Sequence, residues 1–364
     1  MKGNATECYM ISLEKIEGFR DEVNRDKFVL SKYRMVNGKN QWGCICSAMD
    51  WITVAIEYIM QFHTSKGNVQ SMEMYAYISS IDVVWEGIQQ LHRVLFPNKI
   101  YLPFTGKCEC FRNRVYEDKD DNTYFKEIRA CFGAHPVNLQ GEKGERLFAS
   151  WSGNFYGGRY SVILYSNFPE KPFKEMSIYI HELNAFLEER YNYLDVLKNR
   201  IQELRKNFYL KMQQKEISQS NNLVEQLQIL RQEIYNRGEC DYFEFLVERL
   251  QMIFDTPITE KENKEMVDRY RECLKPLIAD LFIHVQNMDM SDIDDGLLFP
   301  KPTSLPNGYG YWLEKISGYI SGVGYSPLYW EEQLKQIFAE RIVMEYESYQ
   351  ELYVIILACM NELE

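Results

Sequence analysis

An arginine and a histidine stand six positions apart in the stretch Tyr124-Phe125-Lys126-Glu127-Ile128-Arg129-Ala130-Cys131-Phe132-Gly133-Ala134-His135-Pro136-Val137-Asn138. These residue types suit phosphodiester chemistry. An imidazole both accepts and donates a proton near neutral pH. A guanidinium stays charged and offers forked donors to phosphate oxygens. On RNA, a base that takes the 2′-hydroxyl proton lets that oxygen attack the adjacent phosphorus. The arginine then neutralises the charge that develops on the phosphate. No cluster of carboxylates in the sequence calls for a metal ion, and no cofactor is expected.

The spacing sets a condition on the backbone. On a straight helix, six positions turn through about 600°, which leaves the two side chains about 120° apart. They converge only if the helix is distorted or the flexible arginine reaches across. Gly133 and Pro136 both allow distortion, and Pro136 would clash with the carbonyl of Phe132 in a continuing helix. His135 is therefore expected at a wet helix end. The bland alternatives are a histidine facing the helix dipole and a surface arginine paired with Glu127 or another acid.

The elements that must position this pair are mostly helical. Ala48, Ile52, Ala55, Ile59 and Phe62 recur at helical spacing from about Gly43 to His63. After the turn signal Thr64-Ser65-Lys66-Gly67-Asn68, a cleaner stripe follows: Met74, Ile78, Ile81, Trp85, Ile88, His92 and Leu95. The short connection implies antiparallel packing. A third helix begins near Thr123 and stops at Pro136. Two alternating runs, Leu147–Trp151 and Tyr160–Tyr165, flank Gly153-Asn154-Phe155-Tyr156-Gly157-Gly158 and predict a hairpin over about 146–166. From Met176 a near-heptad stripe runs through Ile180, Leu183, Leu187, Tyr191, Leu194, Leu197, Ile201 and Leu204 to Phe208. The polar run 213–222 divides the chain into regions 1–212 and 223–364. The second region also reads as helical. Gly238 serves as a helix-ending glycine, and Asp241/Glu244 and Thr259/Glu262 have capping-box spacing. Further helices are expected over about 311–320 and 327–363. The fold class is mainly α, with one inserted hairpin and a second helical region.

Arginine, a five-residue gap and histidine, late in a bundle of long helices, resembles the R-x4-6-H motif of the HEPN domain superfamily. The stretch Arg129–Pro136, ending Ala-His-Pro, looks like that motif in proteins of bacterial toxin and defence systems, and the resemblance covers about Gly43 to Phe208. It implies an up-and-down helical bundle that forms a homodimer, with two motif copies facing each other to make one composite site. Active members are metal-independent ribonucleases. Carried over, Arg129 is the phosphate-binding residue and His135 the general base or acid, and an antitoxin or other protein partner is implied. One position departs from the pattern: Ala130 follows the arginine, where nuclease members commonly have a polar residue. That departure favours the alternative of a non-catalytic dimer that binds RNA, nucleotide or protein. A purely structural helical protein is the third reading.

Other candidates are weaker. Arg112 and Arg114, with Lys126, would flank a phosphate track; the alternative is two solvated arginines balancing Glu117 and Asp118. The pairs Cys44/Cys46 and Cys108/Cys110 have tighter spacing than structural zinc sites usually show. His92 lies on an apolar stripe and reads as a core histidine. Residues 289–296 lack the ligand pattern of a calcium loop.

Composition bounds the partners. The chain has 364 residues, 46% of them hydrophobic and 26% charged, which excludes a disordered chain. Its net charge of −12 means that any RNA contact must be a local basic patch. No apolar run is expected to span a membrane. The start, Met1 to Glu7, has no apolar signal core. Nine cysteines, an odd number, then read as reduced thiols and point to the cytoplasm.

Overall fold

Apolar residues three and four apart build most of this chain. The computed structural model describes residues 11–63, 68–112, 114–141, 144–152, 158–238 and 240–364. The predicted turn at 64–67, most of the hairpin turn (153–157), Cys8 and the Met1–Glu7 stretch lie outside the described residues. The described residues are 62% helical and form twelve α-helices, with a four-stranded antiparallel sheet inserted mid-chain. It divides into two units, one ending at Arg205 and the other beginning at Lys206. The division falls inside a single long helix, earlier than the polar run 213–222, because that helix continues to Gln214.

The first unit opens with two helices that the sequence reading did not anticipate, α1 (Glu14–Asn24) and α2 (Phe28–Tyr33). α1 buries Ile16, Phe19 and Val23, again three and four apart. Helices α3 (Gln41–Met60) and α4 (Asn68–Leu95) pack along each other and supply the largest helical contact of the unit. Every residue of the stripe from Met74 to Leu95 is buried. Gly87 sets the closest approach: a Cβ there would lie 2.8 Å from Cγ1 of Ile52. Helix α3 is also long and apolar enough to cross a membrane by length and composition, which corrects the expectation of no such run. Within this unit its face from Ile45 to Ile59 is instead occupied by protein packing.

The sheet is larger than the predicted hairpin. Strands β1 (Leu139–Gln140), β2 (Arg146–Trp151), β3 (Arg159–Ser166) and β4 (Lys174–Tyr179) pair antiparallel in that order. β2 and β3 are the predicted pair, with Phe148 opposite Tyr165. Met176 lies opposite Val162 in β4 and does not begin the following helix. Met176 and Ile178 are both buried, a period of two. The interval from Met176 to Ile180 also fits helical spacing, so the sequence pattern was ambiguous at this point. Helix α6 (Ile180–Gln214) follows, with Leu183, Leu187, Tyr191, Leu194, Leu197 and Ile201 buried.

In the second unit, α7 (Leu223–Asn236), α8 (Asp241–Asp255), α9 (Lys261–Asn287), α10 (Tyr309–Ile320), α11 (Leu328–Phe338) and α12 (Tyr349–Leu363) surround one core. The predicted segment 327–363 is thus two helices. Every residue from Glu351 to Met360 is buried, as expected of a helix enclosed on all sides. Gly238 has a φ of +112° just past α7, the left-handed conformation expected of a helix-ending glycine. Neither predicted capping box forms. Cys240 and Glu260 occupy the cap positions without side-chain caps. Thr259 instead gives its N–H and hydroxyl to Glu351, both at 2.6 Å. Burial pushes the Glu351 carboxyl up, and these bonds together with the Glu347 N–H hold it below its usual value.

Helix α5 (Asp121–Arg129) is fixed at both ends. Asp120 caps it by accepting from the Thr123 N–H at 2.9 Å. Asp121, fully buried, accepts from the N–H groups of Glu109 and Cys110 and from the Arg114 guanidinium. Replacing Asp121 by alanine leaves that arginine buried without its carboxylate. Asp121→Ala is expected to lower the stability of this unit by about 3–5 kcal/mol. Urea unfolding of the full chain measures this, and a loss under about 1 kcal/mol would contradict the assignment.

Candidate functional site

The buried face of α5 carries Tyr124, Phe125 and Ile128. Phe125 stacks on Phe186 of α6 with ring centroids 4.3 Å apart. The helix also lies against α4, as does the turn that follows it. These contacts hold the end of α5 in place.

At Arg129 the α-helical pattern ends. Residues Ala130–Ala134 form a π-type turn, and the His135 N–H closes it on the carbonyl of Ala130 at 3.1 Å. Gly133 has φ 179° and ψ −42°, outside helical values. This φ does not itself require glycine; the requirement is space. A Cβ on Gly133 would lie 1.8 Å from Cδ2 of Tyr75, whose ring comes from α4 and rests against the turn. Beyond the turn, the His135 carbonyl accepts from the Asn138 N–H at 3.1 Å, and Pro136 accepts from the Ala149 N–H of β2 at 2.6 Å. Phe132 meets Trp151 of β2 edge-on at 5.3 Å. The backbone of His135 is thus bonded on both sides while its side chain is exposed. Its ring makes no hydrogen bond or ion pair among the described residues.

Arg129 is oriented by a residue that the sequence reading missed. Its Nε lies 3.1 Å from Oδ2 of Asp82 on α4, in an ion pair whose side chains are 44% and 13% exposed. Burial pushes the Asp82 carboxyl up; Arg129 and Lys126 pull it down, and Glu86 adds to the rise. Lys126 is exposed one turn before Arg129. Both cations occupy the last turn of α5, where the helix dipole favours positive charge. The terminal nitrogens of Arg129 make no hydrogen bond among the described residues, so they remain open to an anion. Asp82 was detectable in principle. It stands seven positions after Tyr75, which places both on one face of α4, but neither belongs to the apolar stripe that drew attention to the helix.

The expected track of Arg112, Arg114 and Lys126 is not assembled. Arg114 points inward, where it donates to the carbonyls of Phe111 and Lys119 and to the Asp121 carboxylate. Its side chain is almost fully buried, so it is neither a phosphate ligand nor a solvated partner of Glu117 and Asp118. Arg112 is exposed, and its backbone N–H donates to Glu182 at 3.0 Å. Lys126 belongs with Arg129 and Asp82. Among the described residues, no three of His, Cys, Asp and Glu cluster to hold a metal ion.

Asp82 and Glu86 also border a groove of about 350 Å³ between α3 and α4, floored by Ala48 and Gly87 with Trp51 on its wall. Trp51 is 59% exposed, and Val54 and Tyr58, three and seven positions on, share its exposed face.

The contact between Gly133 and Tyr75 generates a test. Gly133→Ala is expected to cost about 1–3 kcal/mol through overpacking. In a Tyr75→Ala background, where the ring is gone, the same substitution should cost under about 1 kcal/mol. Equal costs in the two backgrounds, measured by thermal unfolding, would show that this contact does not set the turn.

No family model, no curated protein and no solved structure matches this chain.

Proposed function

We propose that the first unit is a HEPN-like, metal-independent ribonuclease that cleaves RNA by internal transesterification. Arg129 holds the scissile phosphate through its terminal nitrogens while Asp82 fixes the guanidinium. His135 takes the 2′-hydroxyl proton, and the 2′-oxygen bonds to phosphorus. The P–O5′ bond breaks, and the leaving 5′-oxygen takes a proton from solvent. The products are a 2′,3′-cyclic phosphate and a 5′-hydroxyl. The observation that carries this reading is the arrangement at the end of α5. A half-exposed, carboxylate-oriented arginine and an exposed histidine lie on either side of one broken helical turn.

In this reading the chain acts as a homodimer with two motif copies facing each other. The exposed face of Trp51, Val54 and Tyr58, beside the groove that Asp82 borders, gives that contact an apolar surface.

Binding without cleavage is the second reading. It is favoured by Asp82, which already compensates the Arg129 charge, and by Ala130 in place of a polar neighbour.

Incubation with single-stranded RNA in EDTA separates the two. Cleavage is expected from the wild type, with cyclic phosphate ends. His135→Ala and Arg129→Ala should each lower the rate by about 100-fold or more. Equal cleavage by wild type and His135→Ala would reject the assigned role. Binding of RNA with no cleavage by the wild type would select the second reading.

A further inference from the structure

The second unit contains a cavity of about 480 Å³ that the ribonuclease reading does not use. Its volume falls within the range of about 300–1,000 Å³ usual for small-molecule sites. The walls come from α8, α10, α12 and the loop before α10, and five of the lining residues are aromatic. Phe245 of α8 and Phe299 of the loop lie nearly parallel, with centroids 5.7 Å apart and planes 8° apart. Such flat faces accept another planar ring.

One cation projects into this aromatic setting. The guanidinium carbon of Arg249 lies 5.3 Å from the Phe245 ring centroid and 5.4 Å from that of Tyr353. It donates to the hydroxyl of Ser317. Arg249 has no carboxylate partner among the described residues. Two other arginines of this unit are saturated differently. Arg237 pairs with Glu233 and donates to the carbonyls of Met212 and Lys215. Arg271 donates to the carbonyls of Ile253 and Thr256. Arg249 therefore lines the cavity with further donors that have no protein acceptor among the described residues. A guanidinium presents such donors in a plane that matches a carboxylate or phosphate. The lining also carries one charge of each sign, Lys301 and Glu314, which offset each other and leave the arginine to set the preference.

We propose that this cavity binds a small aromatic anion, a planar ring bearing one carboxylate or phosphate. The ring would lie against Phe245 and Phe299, and the acid would sit on Arg249. This site is independent of Arg129 and His135.

Isothermal titration calorimetry of the full chain tests it with two pairs of probes. The carboxylate arm compares 2-naphthoate with neutral 2-naphthamide; the phosphate arm compares adenosine monophosphate with adenosine. At least one anion should bind at one site per chain, tenfold or more tightly than its neutral partner, and the arm that does so identifies the acid. Arg249→Met should abolish the preference and Arg249→Lys should keep most of it. In the wild type, NMR signals of the Leu313 and Leu357 methyl groups should shift on titration, which needs no variant to fold. The proposal is overturned if neither anion binds below about 1 mM. It is equally overturned if the preference survives Arg249→Met, or if the methyl shifts fall elsewhere.

Discussion

A tyrosine ring occupying the space of a missing side chain is the constraint on which the candidate site depends. Tyr75 lies where the Cβ of any other residue at 133 would stand. That approach is possible only at glycine, and it lets α4 press against the turn where α5 ends. The turn then closes as a π-type bond from His135 to Ala130 in place of a further α-helical step. Pro136 could not have continued the helix in any case. The result is a histidine whose backbone is held on both sides and whose imidazole faces solvent. In the proposed reaction, preorganisation of this kind would place the proton acceptor without burying it.

The electrostatics follow from the same junction. The chain carries a net charge of −12, so a polyanion gains nothing from the surface as a whole. The end of α5 is locally different, because Lys126 and Arg129 gather in its last turn beside Asp82. Asp82 has two opposed effects. Its carboxylate offsets the guanidinium charge, and it also holds the guanidinium through Nε, which leaves the terminal nitrogens for the proposed phosphate. The half-buried Asp82 carboxyl is itself costly to ionise, and the two cations of α5 offset that cost. Loss of either partner would therefore be felt by the other.

How much of this was legible in sequence depends on how local each cause is. The stripe from Met74 to Leu95 marked α4 residue by residue, because burial of one helix face leaves a periodic record. The break after Arg129 was legible from Pro136, which acts on its own backbone, and was marked by Gly133, although the reason for that glycine, the Tyr75 ring, lies across space. The partners across space were not. Asp82 and Tyr75 interact with residues about fifty positions later in the chain, and nothing local marks them. Arg114 looked like a surface cation because Asp121, its buried acceptor, lies within a run rich in charge. Met176 was misplaced because strand and helix periods coincide over a four-residue step. Thr259 had the spacing of a cap, but Glu351 of a distant helix takes both its donors.

In the proposed reaction, Arg129 and His135 act on one phosphate. The most direct measurement is an NMR titration of the full chain with a short RNA carrying 2′-O-methyl groups, which binds but lacks the attacking hydroxyl. The His135 ring signals and the Arg129 side-chain Nε–H signal should move together along one saturation curve. Movement of one without the other, or of neither while RNA binds elsewhere on the chain, would contradict it.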